Sequence, residues 1–304
     1  MKIAVMGAGG IGSYLGALLA CAGHTVWLVC RGEHLKAIQA NGLTLQRRGT
    51  SRAVPIQATD NPGDVGAVDV VIVAVKLYDL ESAAQAMRPM VDSHTILVPI
   101  QNGVTSHEVL QNVFDAHNVL GGTVFISAAI PEPGIVLGRG KTDRLVFGEL
   151  NGRRSDRALA FQQACNAADI DTVLSTDVLS AMWHKFTGVT SVGAISTLAR
   201  QGVGYICADE RLNHLMMLGM EEVMAVAARK GIHLPDDTVA KCLAFAHSVT
   251  YGAKVSLLED LERGKPLELD WLSGHVAKLG ESLGVPTPVH SMAYACLAPF
   301  NRTR

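Results

Sequence analysis

The first dozen residues fix most of what the N-terminal half of this chain can fold into. A short apolar run, Lys2-Ile3-Ala4-Val5-Met6, leads directly into Gly7-Ala8-Gly9-Gly10-Ile11-Gly12. A GxGxxG pattern alone is weak. Placed after a strand, at the mouth of a helical stretch and at the start of a βαβ unit, it is the turn that accommodates a dinucleotide pyrophosphate. Gly7 permits the tight turn, Gly9 lets the backbone approach the phosphates, and Gly12 allows close helix–strand packing. Ala8, Gly10 and Ile11 complete the turn. The helix N-terminus then presents unpaired N–H groups and the positive end of its dipole.

The same alternation recurs along the first half of the chain. Gly12–Cys21 reads as a helix closed by Gly23, Thr25–Cys30 as a strand, and Glu33–Ala40 as a helix stopped at Asn41-Gly42. Asp69–Val75 is almost wholly Val, Ile and Ala, as in a central strand covered on both faces. Thr95–Ile100 and Val119–Phe125 are further strands, and Asp171–Leu174 is the last. Strands alternating with helices imply a parallel sheet with right-handed crossovers. The fold class expected is therefore α/β, a Rossmann-type parallel sheet over residues 1–174, with residues 175–304 forming an all-helical domain.

That second domain is read from its caps. Ser175, Thr176 or Asp177 caps a helix through Trp183 and Lys185, and Asp209 caps a long helix ending at Lys230 with Gly231 beyond it. Its methionines (Met216, Met217, Met220 and Met224) fit a packing stripe. More helix is expected at Asp237–Thr250, Leu269–Leu283 and Val289–Leu297.

The strand ends indicate which dinucleotide is bound. An acid at the end of the second strand would bond the ribose hydroxyls of NAD and repel a 2′-phosphate. Here the strand ends Val29-Cys30-Arg31, a guanidinium suited to the 2′-phosphate of NADP(H). Glu33, the rival, suits the first turn of a helix, where a carboxylate favours the dipole. Ligands of open α/β sheets lie beyond the carboxyl ends of strands. Lys76 stands after one such end, and Gln101-Asn102-Gly103 after another.

Composition closes off other classes. With 26 basic and 28 acidic residues, the chain has no basic excess for nucleic acid or an anionic membrane surface. Cysteines 21, 30, 165, 207, 242 and 296 form no CxxC pair and read as buried small hydrophobes in a reducing compartment. No His/Cys cluster has metal-ligand spacing, so no metal is expected. No signal-peptide pattern and no run of ~18 apolar residues is present, and a cytoplasmic protein is expected. The expected partner is a small-molecule oxo acid, not nucleic acid or membrane, and the chain is expected to be a monomer or homodimer.

Taken together, GAGGIG, CRGEHL, VAVK with Lys76, QNG with Asn102, Met182-Trp183-His184-Lys185-Phe186, and Ser256 with Glu268 twelve residues later resemble the ketopantoate reductase (2-dehydropantoate 2-reductase) family. The resemblance runs from residue 1 to about Pro288. It implies hydride transfer from NADPH to the ketone of 2-oxopantoate, giving pantoate for pantothenate biosynthesis. It further implies that Lys185 donates the proton to the carbonyl oxygen and that Asn102 lies near the nicotinamide. Arg31 and the glycines hold phosphates, and Ser256 and Glu268 face the substrate and the nicotinamide end of the cleft. The chemistry agrees, because hydride delivery builds negative charge on oxygen and calls for a nearby acid. Burial would lower the pKa of a lysine towards working pH, and Glu268 could orient its ammonium. His184 is the competing acid, but adjacent helical residues point about 100° apart, so the two cannot face one cleft.

The chain departs from the family in one coherent way. Ketopantoate reductases usually carry asparagines one and two helical turns beyond the lysine and a third further on; here Val189, Gly193 and Val203 stand there. Lys185, Val189 and Gly193 are spaced i, i+4, i+8 along one helix face. Val189 and Gly193 with Ser256 are thus expected to line a less polar substrate pocket, with Ser196 able to return to that face. The alternatives are a paralogous reductase of a less polar 2-oxo acid, or a non-catalytic NADP(H)-binding sensor.

Overall fold

The computed structural model describes residues 1–140 and 143–301; residues 302–304, the end of the expected second domain, lie outside the described residues. The chain divides into two compact units, residues 1–101 with 105–178, and residues 102–104 with 179–304. The first carries every strand among the described residues.

Its centre is a five-stranded parallel sheet in the order β5-β2-β1-β6-β7, built from β1 (Lys2–Met6), β2 (Thr25–Val29), β5 (Gln57–Thr59), β6 (Val70–Val73) and β7 (Ile96–Pro99). The helices α1 (Gly10–Cys21), α2 (Gly32–Asn41) and α3 (Leu80–Ala86) connect these strands. Ile3, Val5, Leu28, Val70, Ile72 and Val98 are fully or almost fully buried, as strands covered on both faces require. Register matters more for function than the core does. Met6 lies opposite both Val29 and Val73, and Val73 lies opposite Pro99. The carboxyl ends of four strands are therefore flush. Gly7 comes directly after its strand, Arg31 two residues after, and Lys76 and Asn102 three.

Two smaller sheets extend the unit. One, in the order β4-β3-β10-β9, combines the hairpin β3 (Leu43–Arg47) and β4 (Thr50–Val54) with β9 (Ala128–Ala129) and β10 (Ile135–Gly138). The other, β12-β11-β8, combines β8 (Leu120–Phe125), β11 (Arg144–Glu149) and β12 (Asp171–Leu174). The strands β8 and β12 thus lie outside the five-stranded parallel sheet. Val119 bridges Leu97 in the parallel sense, but β8 itself runs antiparallel to β11. A parallel pair needs a crossover, usually a helix. The chain between β8 and β11 forms β9 and β10 instead, with no helix among the described residues there. The helices α4 (Ser106–Gln111) and α5 (Asp156–Ala167) complete the unit, and the Ser155 hydroxyl caps α5 by accepting from Ala158 N–H.

The second unit is helical, as expected: α6 (Val178–Ala199), α7 (Val203–Ala208), α8 (Glu210–Arg229), α9 (Thr238–Ser248), α10 (Ser256–Glu262), α11 (Ser273–Leu283) and α12 (Pro288–Leu297). Asp209 caps α8, its carboxylate accepting from the N–H groups of Arg211 and Leu212, and Gly231 takes a φ of 82° beyond the helix. Met216 and Met220 are fully buried with Val192, Ile195 and Ile206, the packing role expected of them. No helix among the described residues is long and apolar enough to cross a membrane.

Candidate active site

The glycine-rich turn is sterically over-determined. Gly7 has a φ of 97°, and a Cβ there would sit 2.6 Å from the Val75 nitrogen. A Cβ at Gly12 would lie 2.3 Å from the Gly7 carbonyl oxygen, and one at Gly10 would lie 2.5 Å from that of Ala128. Within the turn, Gly9 alone has open space around its Cβ position. The turn is therefore closed on its protein side and open at the residue expected to face phosphate. Ala8 is buried and Ile11 packs against the core. The N–H groups of Gly7 and Ala8 donate to the Val29 carbonyl at 3.1 and 3.0 Å, tying the turn to the end of β2. The first N–H groups of α1 have no intrahelical acceptor and are suited to an anion.

Arg31 caps α2 with its side chain 75% exposed, its guanidinium 3.9 Å from the Asp79 carboxylate. So open a contact adds little stability, which leaves the guanidinium available to a ligand phosphate. Lys76 is half-buried ahead of a short 3₁₀ turn over Leu77–Asp79.

In the second unit, Lys185 on α6 donates through Nζ to Asn102 Oδ1 at 2.8 Å. These residues are 83 positions apart, and residues 102–104 pack with the helical unit although they come soon after β7 in the chain. Burial lowers the Lys185 pKa to about 8, against the opposing charge of Glu268. Glu268 is itself buried, just ahead of the 3₁₀ turn Leu269–Trp271. No local pattern signals that the amide of Asn102 accepts from this ammonium. His184 goes elsewhere, its Nδ1 lying 3.3 Å from the Thr238 hydroxyl on α9, with a pKa lowered by burial.

Beyond the lysine, Val189 is half-buried and Gly193 is buried, yet a Cβ at Gly193 would meet only the Leu257 side chain, at 4.0 Å. Ser256 is exposed at the first position of α10. Two side chains further along are engaged elsewhere. Val203 is core, packed among Val192, Ile195 and Met216, because α7 turns that side chain inward. Ser196 is fully buried and donates to the Gln201 carbonyl beyond the end of α6, so its hydroxyl is committed to the backbone. Leu257 has no sequence signal; it is one leucine of a Leu-Leu pair. Among the described residues, no group of three His, Cys, Asp or Glu side chains is placed to hold a metal.

A Rossmann-type sheet with this turn, joined in one chain to a helical unit presenting a half-buried lysine, defines a class of two-unit dehydrogenases and reductases. Comparison with known chains gives the family. The model described as "Ketopantoate reductase PanE/ApbA" matches residues 3–152, and that for "Ketopantoate reductase PanE/ApbA C terminal" matches residues 177–301. The chain belongs to the ketopantoate reductase family and is an oxidoreductase acting on 2-oxo acids. It is 34% identical over 310 residues to a 2-dehydropantoate 2-reductase of Mesorhizobium japonicum, covering 95% of this chain and 94% of that one. It is 29% identical to the uncharacterized oxidoreductase YkpB of Bacillus subtilis, over 99% of both chains. The crystal structure of a PanE/ApbA family ketopantoate reductase from Ralstonia eutropha superposes with a TM-score of 0.91 at 31% identity, covering 99% and 98% of the two chains.

Proposed function

We propose that this chain catalyses the NADPH-dependent reduction of 2-oxopantoate to pantoate, with Lys185 as the proton donor. The observation that carries the reading is the half-buried Lys185 ammonium, held by Asn102 at 2.8 Å with its pKa drawn down to about 8. NADPH, when bound, supplies the hydride. The open space at Gly9 and the unpaired N–H groups of α1 suit its pyrophosphate, and the exposed Arg31 suits its 2′-phosphate.

As the substrate carbonyl oxygen gains charge, Lys185 stabilises it and surrenders a proton from Nζ. Asn102 accepts one N–H of the ammonium and so fixes its direction. Glu268 keeps the lysine cationic against the cost of burial until the proton is needed. Ser256, exposed at the start of α10, is the side chain proposed to bond a carboxylate. The test is NADPH oxidation monitored at 340 nm against a panel of 2-oxo acids that includes 2-oxopantoate. Turnover of none of them would remove the catalytic reading and favour an NADP(H)-binding sensor.

One observation favours a second reading, a less polar 2-oxo acid as the better substrate. The face of α6 beyond Lys185 offers Val189 and the open space over Gly193 rather than amides. The same panel decides between the two readings when it includes 2-oxoisovalerate, which has a branched apolar tail and no hydroxyl.

A further inference from the structure

We propose that His34 is a positioning residue for the cofactor: acting through Ser13, it holds the turn that carries Arg31 against the glycine-rich turn, and so sets how sharply the protein separates NADPH from NADH. The inference rests on the reading of Arg31 as the 2′-phosphate contact.

The hydrogen bonds fix their own direction. Gly134 N–H donates to His34 Nδ1 at 3.0 Å. A backbone N–H cannot accept, so Nδ1 is bare and the ring proton sits on Nε2. Nε2 then donates to Ser13 Oγ at 3.1 Å, and Ser13 Oγ donates to the Ala8 carbonyl at 2.9 Å. Each donor in the relay finds an acceptor, and no proton is left to choice. Burial of the ring also lowers its pKa, which keeps this neutral tautomer in place.

The two ends of the relay are what give it a function. Ala8 is the second residue of the glycine-rich turn. His34 stands three residues after Arg31, on the first turn of the helix that Arg31 caps. Ser13, fully buried on α1, joins them. The glycine-rich turn keeps its two backbone bonds to Val29 whether or not the relay exists. The Arg31 turn, by contrast, loses its side-chain link to α1 when the relay is cut. The two turns are then joined only through the backbone bonds at Val29, two residues before Arg31, so the first turn of α2 is freer to shift against the pyrophosphate cradle, and only a cofactor with a 2′-phosphate registers the change.

The test compares NADPH and NADH affinity, by nicotinamide fluorescence, in wild type, His34→Ala, His34→Gln and Ser13→Ala, together with kcat at saturating NADPH and the melting temperature. Loss of the His34–Ser13 bond, common to both variants, should raise the NADPH Kd about tenfold in His34→Ala and Ser13→Ala while NADH changes less than about twofold. The amide N–H of glutamine reaches towards Ser13, so His34→Gln should recover most of the selectivity. A fall in melting temperature with an unchanged NADPH/NADH ratio, or equal loss for both cofactors, would reduce His34 to a packing residue and overturn the inference. Wild-type protein binding NADH as tightly as NADPH would overturn the Arg31 reading and this inference together, and that result is visible before any variant is made.

Discussion

A lysine that must release a proton near neutral pH needs a lowered pKa and a fixed direction, and Lys185 has both. Replacing it with alanine should lower kcat by about 10²–10⁴ with NADPH affinity nearly unchanged. His184→Ala should be far milder, since that ring bonds Thr238 on another side of α6. Stopped-flow and steady-state rates on the two variants check the ranking; the reverse order would move the acid to His184. The pH profile has a definite sign. The acid works in its protonated form, so reduction should hold below about 8 and decline as pH rises through that value. Oxidation of the hydroxy acid needs the neutral amine and should rise over the same interval. Arg31 makes the second residue-scale test. Arg31→Ala should weaken NADPH binding by about 1–3 kcal/mol, the size of a lost charge-assisted contact, and leave NADH nearly unaffected. Calorimetric titrations that show the same loss for both cofactors would rule out the 2′-phosphate contact.

Among the elements, α6 is where the proposed substrate preference can be tested. Its Lys185, Val189 and Gly193 share one face over about 12 Å at 1.5 Å per residue. A side chain at Gly193 has room, the nearest atom to its Cβ being 4.0 Å away. Val189→Asn with Gly193→Asn should therefore fold, and should shift the kcat/KM ratio towards 2-oxopantoate over 2-oxoisovalerate by about 1–3 kcal/mol, one or two hydrogen bonds. A wild type that already prefers 2-oxopantoate a hundredfold would show that other side chains supply those bonds.

Elements also differ in how plainly the sequence announces them. β1, α1 and β2 are legible because glycine spacing and apolar runs act locally. β12 is legible at its limits, and so are the caps of α8. The hairpin of β3 and β4 is not, since β4 is short and mostly exposed and its turn places Arg48 at a φ of 50°, where glycine or asparagine would normally signal. The direction of β8 is hidden as well, because an apolar run fits either orientation of its partner. At the site, residue types are legible and pairings are not. Nothing local to Asn102 or Lys185 says that they meet, and only the path of α7 shows that Val203 belongs to the core rather than a pocket.

For the whole molecule, two cores in one chain make ligand linkage regional. The glycine-rich turn and Arg31 lie in the first unit, while Asn102 and Lys185 lie in the second. NADPH at a hundred times its Kd should add about 2.7 kcal/mol to the stability of whatever it binds in the folded state. Hydrogen exchange read by mass spectrometry should show that protection strongest over residues 7–13 and 29–34 and weak over α8 and α9. Uniform protection of both units would mean that the cofactor acts on the molecule as one cooperative body.

The three residues Asn102–Val104 matter to anyone recombining such enzymes. A chimera cut once before α6 exchanges, on paper, one complete unit for another. It would in fact leave the acid's hydrogen-bond acceptor behind, because that acceptor is encoded in the first half of the gene while its place in space is in the second unit. A graft of the helical half from a relative inherits a foreign lysine facing a native loop. The poise of the proton in such a graft would depend on the match between two stretches of sequence that a crossover between Val104 and α6 separates and one placed before Asn102 keeps together.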